Sequence, residues 1–149
     1  MKEIKSIGVV GAGQMGTGIA QVAATAGYQV SIYDAFPGVA EKSLGRMRTT
    51  LEKLVSKGKM DQAACEATLS AVTPVATIEE VAKCDLVIEA AIEKVDLKME
   101  IFAALDKAAG PDTILASNTS SISLTELASS TNRPDKVIGT HFFNPAPVM

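Results

Sequence analysis

Ile7-Gly8-Val9-Val10-Gly11-Ala12-Gly13-Gln14-Met15-Gly16 is an apolar run that breaks into three closely spaced glycines, Gly11, Gly13 and Gly16. Such a pattern forms where a buried strand turns sharply into a helix whose free N-terminal amides face a diphosphate. Gly11 permits the tight turn. Gly13 has no Cβ, so the backbone can approach a pyrophosphate, and Gly16 lets the new helix lie close to the sheet. A glycine triplet alone is weak evidence, so its flanks decide. Ser6 to Val10 is rich in Ile and Val, as a parallel strand buried on both faces requires. Met15, Ile19, Val22, Ala23 and Ala26 then recur at helical spacing, predicting one apolar face. Gly27 ends that helix, and Gln29 to Tyr33 predicts a second strand closing on Asp34. An acid about twenty residues past the glycines is placed to accept hydrogen bonds from an adenosine ribose. Ala35, Phe36 and Pro37 follow it, with no Arg or Lys to receive a 2′-phosphate. The stretch predicts dinucleotide binding, with NAD favoured over NADP. A strand–turn–helix that binds nothing is the competing reading.

The rest of the composition narrows the class. A chain of 149 residues is enough for one domain with its own core. A net charge of −3 argues against nucleic acid or an anionic membrane as the main partner. Cys65 and Cys84 form no metal-like or redox-like cluster, so no metal is expected, and reduced thiols fit a cytoplasmic protein. Met1-Lys2-Glu3-Ile4-Lys5 mixes charges and does not read as a signal peptide, and no apolar stretch is long enough to span a bilayer.

From Phe36 onward the pattern is helical. Ala40, Leu44, Met47, Leu51 and Leu54 make one stripe, while Lys42, Arg46, Arg48, Lys53 and Lys57 lie mostly off it. Gly58 ends this helix and Asp61 can cap a second through about Val72, giving an inserted antiparallel helical hairpin. Val75 to Thr77 reads as a short strand, Ile78 to Lys83 as a small helix and Leu86 to Ala90 as the next buried strand. A helix from Val95 to Ala109 directs Ile101, Phe102, Leu105 and Ala109 inward. Thr113 to Ser117 is another strand, Leu124 to Ser129 a short helix, and Val137 to His141 the last strand. Strands alternating with helices predict an α/β fold: a Rossmann-type, doubly wound, mostly parallel sheet.

Ligands of such sheets lie beyond the C-terminal ends of the strands, so the polar residues found there outline a site. Glu89 ends the fourth strand, with Glu93 just beyond and Lys98 in the following helix. The fifth strand runs into Ser117-Asn118-Thr119-Ser120-Ser121, and the last into His141-Phe142-Phe143-Asn144-Pro145. His141 is the only histidine in the chain. Imidazole titrates near neutrality and suits removal of an alcohol proton as hydride leaves carbon.

These two segments, with Gly11 to Gly16, Val87 to Glu93 and the helical hairpin, resemble the L-3-hydroxyacyl-CoA dehydrogenase family over the whole chain. The resemblance implies NAD-dependent oxidation of the 3-hydroxyl of an acyl-CoA such as 3-hydroxybutyryl-CoA, or the reverse reduction. It makes His141 the general acid/base and Ser120 a hydrogen-bond donor to the substrate oxygen or the nicotinamide ribose. Asn118 and Asn144 shape the same pocket. Gly11, Gly13, Gln14, Met15, Gly16 and Asp34 hold the adenosine and diphosphate, and Ala90, Glu93 and Lys98 the nicotinamide half. Coenzyme A near the hairpin puts Thr50 and Lys57 in range, with a merely solvated face as the alternative for those two. Members continue into an all-helical second domain, which completes the substrate pocket and the homodimer, with a glutamate expected near position 153 to orient the histidine. The expectation is that residues 1–149 are the NAD-binding domain of a longer dehydrogenase; an NAD(H)-binding module without turnover remains open.

Overall fold

In the computed structural model, which describes residues 2–149, the run Ser6–Val10 is strand β1, buried from Ile7 to Val10. There follow α1 (Gln14–Thr25), β2 (Gln29–Tyr33), α2 (Val39–Ser56), α3 (Gln62–Ser70), β3 (Val72–Pro74) and α4 (Ile78–Val81). Then come β4 (Leu86–Glu89), α5 (Val95–Ala108), β5 (Ile114–Ser117), α6 (Leu124–Ser129) and β6 (Val137–Gly139). Among the described residues the six strands form one sheet in the order β3-β2-β1-β4-β5-β6, and every pairing is parallel. The order reverses between β1 and β4, so a crevice opens above the C-terminal ends of these two strands.

Alternation along β1 divides the core. Ile7 and Val9 point to one face, where they join Ile19, Ala23, Met47 and Leu51. Val10 points to the other and joins Val87, Phe102, Leu105 and Leu127. The sheet is therefore covered on both sides, α1 to α3 on the first face and α5 with α6 on the second. Among the described residues no helix is long and apolar enough to cross a membrane.

Several boundaries differ from expectation. The buried face of α1 is wider than the stripe, taking in Gly16, Ala20 and Ala24 because the helix lies between the sheet and the hairpin; Ala26, past its end, is exposed. In α2 Ala40, Met47 and Leu51 are buried as expected, and Ser43 joins them because its hydroxyl lies 2.7 Å from that of Thr17. Asp61 caps α3 by accepting the Ala64 amide at 2.7 Å. The third strand is Val72–Pro74, not Val75 to Thr77. Pro74 is tolerated because β3 is an edge strand paired only with β2. The small helix stops at Val81, and β6 stops at Gly139, so His141 stands on the loop beyond the strand. That loop returns to α1: a Cβ on Gly18 would come within 3.2 Å of both Ala146 and Pro147.

Candidate active site

The site starts at the glycine turn. Gly11 adopts φ 103°, a conformation that favours glycine, and its amide donates to the Tyr33 carbonyl at 2.8 Å. A Cβ at Gly16 would fall on the Gly11 carbonyl. Gly13 is the opposite case, because no atom lies within 4 Å of where its Cβ would stand. Helix α1 also begins without a side-chain cap. Open space before uncapped amides suits a phosphate, so the residues present fit the diphosphate of a dinucleotide. Asp34 lies beside the turn, its two carboxylate oxygens accepting the Ala12 and Phe36 amides at 2.9 Å each.

From Gly13 and Asp34 a cleft of about 350 Å³ runs to Ala90 and Ala91. Its lining is largely apolar, and the exposed Phe36 and Ile92 form its rims, as a flat base requires. A second cleft, about 340 Å³, shares Ala90 and Ala91 with the first. Met15, Glu93, Lys98, Asn118, Ser120, His141 and Asn144 line it. A third, about 450 Å³, meets the second at Asn144 and is walled by Gln14, Thr17, Gln21, Arg46 and Thr50. The fold thus brings the expected residues into a connected series of grooves, with two exceptions: Gly16 is buried behind the glycine turn, and Lys57 is the exposed C-terminal cap of α2; neither lines any of the three.

Beneath the junction lies a row of charges. Glu89, wholly buried, accepts from the Ser117 hydroxyl at 2.6 Å, the Ala91 amide at 2.6 Å and the Lys98 ammonium at 2.5 Å. Lys98 is itself 1% exposed; it also donates to the Ala91 carbonyl and lies 3.3 Å from Glu93. Partial burial opposes ionisation of Glu93. The Thr119 hydroxyl, the Ser120 amide and the Lys98 ammonium outweigh that and hold its carboxyl below the usual range. The same contacts fix the hydroxyl-rich loop, since Thr119 donates to Glu93 at 2.8 Å. Asn118 ties it to the last segment by accepting the Phe142 amide at 2.7 Å.

His141 is exposed, its ring centroid 4.6 Å from that of Phe143. Among the described residues no side chain or backbone group hydrogen-bonds its imidazole. Two residues of the site escaped the sequence reading of roles. Glu89 was legible only as the end of a strand, although an acid closing a central apolar strand has to find partners. Arg46 lies off the apolar stripe of α2, yet its guanidinium donates to the Ala12 carbonyl at 2.8 Å, within the glycine turn itself.

Residues 6–149 match the family model described as "3-hydroxyacyl-CoA dehydrogenase, NAD binding domain". A probable 3-hydroxybutyryl-CoA dehydrogenase of Bacillus subtilis is 49% identical over 147 residues, which are 99% of this chain and 51% of that protein. The crystal structure of a 3-hydroxybutyryl-CoA dehydrogenase from Escherichia coli superposes with a TM-score of 0.96 at 42% identity, over 99% of this chain and 31% of that one. That of the (S)-3-hydroxybutyryl-CoA dehydrogenase from Ralstonia eutropha gives 0.95 at 41%, over 99% and 52%. The chain spans about half the length of the first curated relatives it matches. With a parallel sheet of order 3-2-1-4-5-6, an uncapped glycine turn and an acid closing β2, this chain belongs to the NAD-binding domain family of the 3-hydroxyacyl-CoA dehydrogenases.

Proposed function

We propose that the chain supplies the cofactor site and the proton acceptor of an NAD-dependent dehydrogenase acting on (S)-3-hydroxyacyl-CoA, such as 3-hydroxybutyryl-CoA, in either direction. The observation that carries this reading is the meeting of the grooves. The cleft at Asp34 and the cleft at His141 share the Ala90–Ala91 peptide, and the latter opens at Asn144 into the cleft at Thr50. A dinucleotide laid through the first two has its adenosine at Asp34 and its nicotinamide beside His141, Ser120 and Asn144. The third cleft then brings a second, elongated ligand to the same place.

Bound in the first two clefts, NAD would supply the hydride acceptor for C3 of the hydroxyacyl group. The chain's own residues do the rest. His141, in its neutral form, takes the hydroxyl proton. Ser120 and Asn144 hydrogen-bond the oxygen that becomes a carbonyl, holding C3 toward the ring. Asp34 accepts the adenosine ribose hydroxyls, while Gly11, Gly13, Gln14, Met15 and Gly16 make room and amides for the diphosphate. Ala90, Glu93, Lys98 and Asn118 form the wall at the nicotinamide half. Thr50 reaches the coenzyme A portion from α2. Lys57 does so only if the ligand extends beyond the third cleft along that helix. A second half of the protein, as long as that of the relatives, would close the substrate side and pair two subunits.

Titration with NADH, followed by an assay with 3-hydroxybutyryl-CoA and NAD+, tests the reading. Micromolar or tighter NADH binding that Gly13→Val abolishes supports it, and an absence of NADH binding by the folded chain overturns it.

A further inference from the structure

We propose that the buried Glu89 sets how strongly the cofactor cleft prefers oxidised over reduced nicotinamide. The proposal rests on the second cleft being the nicotinamide site. Glu89 is wholly buried and is not among the groove-lining residues, so it does not act by touching a ligand. Its three hydrogen bonds, to Ser117, Ala91 and Lys98, leave it well satisfied in place. It therefore acts through Lys98.

Glu89, Lys98 and Glu93 form a row of carboxylate, ammonium and carboxylate. Side-chain exposure along the row is 0%, 2% and 40%, so Glu93 is the member open to solvent, while Lys98 lines the cleft from beneath and Glu89 lies behind it. Paired with Glu93 alone, Lys98 would make the row neutral. Glu89 takes up the ammonium charge from behind and leaves a net charge of −1 facing the cleft. His141 is the one other titratable side chain lining that cleft among the described residues; Met15, Asn118, Ser120 and Asn144 carry no charge. The nicotinamide ring is a cation when oxidised and neutral when reduced, and the two cofactor forms have the same diphosphate and riboses. A negative row in a part-buried wall thus favours the oxidised ring selectively.

A Glu89 that served only to hold the fold would behave differently. A buried ion pair often adds little net stability, and loosening the Ala90–Ala91 junction would weaken both cofactor forms alike. The test is a titration of the wild type, Glu89→Gln and Glu89→Gln/Lys98→Gln with NAD+ and with NADH. Glu89→Gln brings the row to zero and is expected to raise the ratio of Kd for NAD+ to Kd for NADH about tenfold, the scale of one charge acting through a protein wall. The double variant restores −1 through Glu93 and returns the ratio to that of the wild type. Equal weakening of both forms, or a ratio that the double variant leaves raised, overturns the proposal. Should Glu89→Gln not fold, Glu93→Gln gives the same charge sum with the buried pair intact, and an unchanged ratio there overturns it equally. A wild-type chain that binds neither form sinks the assignment of the cleft together with the proposal, whereas binding with an invariant ratio sinks the proposal alone.

Discussion

The Asp34 carboxylate accepts the amide of Ala12 at 2.9 Å, so the acid at the end of β2 also braces the glycine turn. In the proposed function one side chain therefore couples recognition of the ribose to the shape of the glycine turn. NADH is expected to bind more tightly than NADPH, whose added phosphate would meet this acid with like charge. Asp34→Ala should weaken NADH about tenfold to a hundredfold, the worth of hydrogen bonds to a charged group, and narrow the gap between the two cofactors. Calorimetric titrations of both proteins check this; equal affinities in the wild type would remove the assignment.

Gly13 and Gly16 differ in what they tolerate. The space around Gly13 is empty, so Gly13→Val should leave circular dichroism and Tm nearly unchanged while abolishing NADH binding. At Gly16 a Cβ would collide with the Gly11 carbonyl, so Gly16→Ala should lower Tm and loosen the turn even without cofactor. If both variants melt like the wild type, the close approach of α1 to the turn is not a constraint on the fold.

How much of this was legible in the sequence depends on whether the signal was local. The apolar run of β1, the glycines and the acid closing β2 are neighbours in sequence, and their spacing carries their meaning. Lys98 is different. The family resemblance assigns it to the nicotinamide half of the cofactor, but its burial is decided by Glu89, at the end of β4 and beneath the sheet's crevice. The edge strand lies at Val72–Pro74 and not at Val75 to Thr77, and only its pairing with β2 alone makes a proline harmless there. Arg46 is a further case: an amphipathic pattern assigns it to solvent, while its length lets it reach Ala12.

At the opposite end of the sheet, acid stability should depend on Asp85. The Lys5 amide, the Lys2 ammonium at 3.0 Å, and the amide and hydroxyl of Ser6 hold its carboxyl well below the usual range against some burial. A carboxyl lowered in the folded state stabilises the fold above its unfolded pKa of about 3.9, and that contribution is lost as pH falls through the folded value. Asp85→Asn should therefore lower Tm at pH 7, with a deficit that shrinks below about pH 4. A deficit constant from pH 7 to the acid limit would show that the charge of Asp85 is not what matters.

Turnover should be limited by His141. With no hydrogen-bond partner for its imidazole among the described residues, nothing there selects a tautomer or stabilises the ring as it takes a proton. Neutralising the orienting acid of a catalytic histidine costs roughly 10⁴-fold elsewhere. The 149-residue chain should bind NADH yet oxidise 3-hydroxybutyryl-CoA very slowly, and a chain of the relatives' full length should turn it over. His141→Ala in the long form should remove most of the rate and leave NADH affinity intact. Undiminished turnover by that variant, measured from NADH absorbance, would remove His141 as the base.

The seating of Ala146 and Pro147 on Gly18 makes α1 a ruler. One end of this helix opens on the uncapped glycine turn proposed to hold the diphosphate, and little more than one turn along it the segment that follows His141 comes to rest. In the proposed reading a helix, not the sheet, thus measures the separation between the cofactor's diphosphate and the proton acceptor. A bulky side chain at Gly18 would lengthen that measure without touching either end, so that binding would survive and alignment would not.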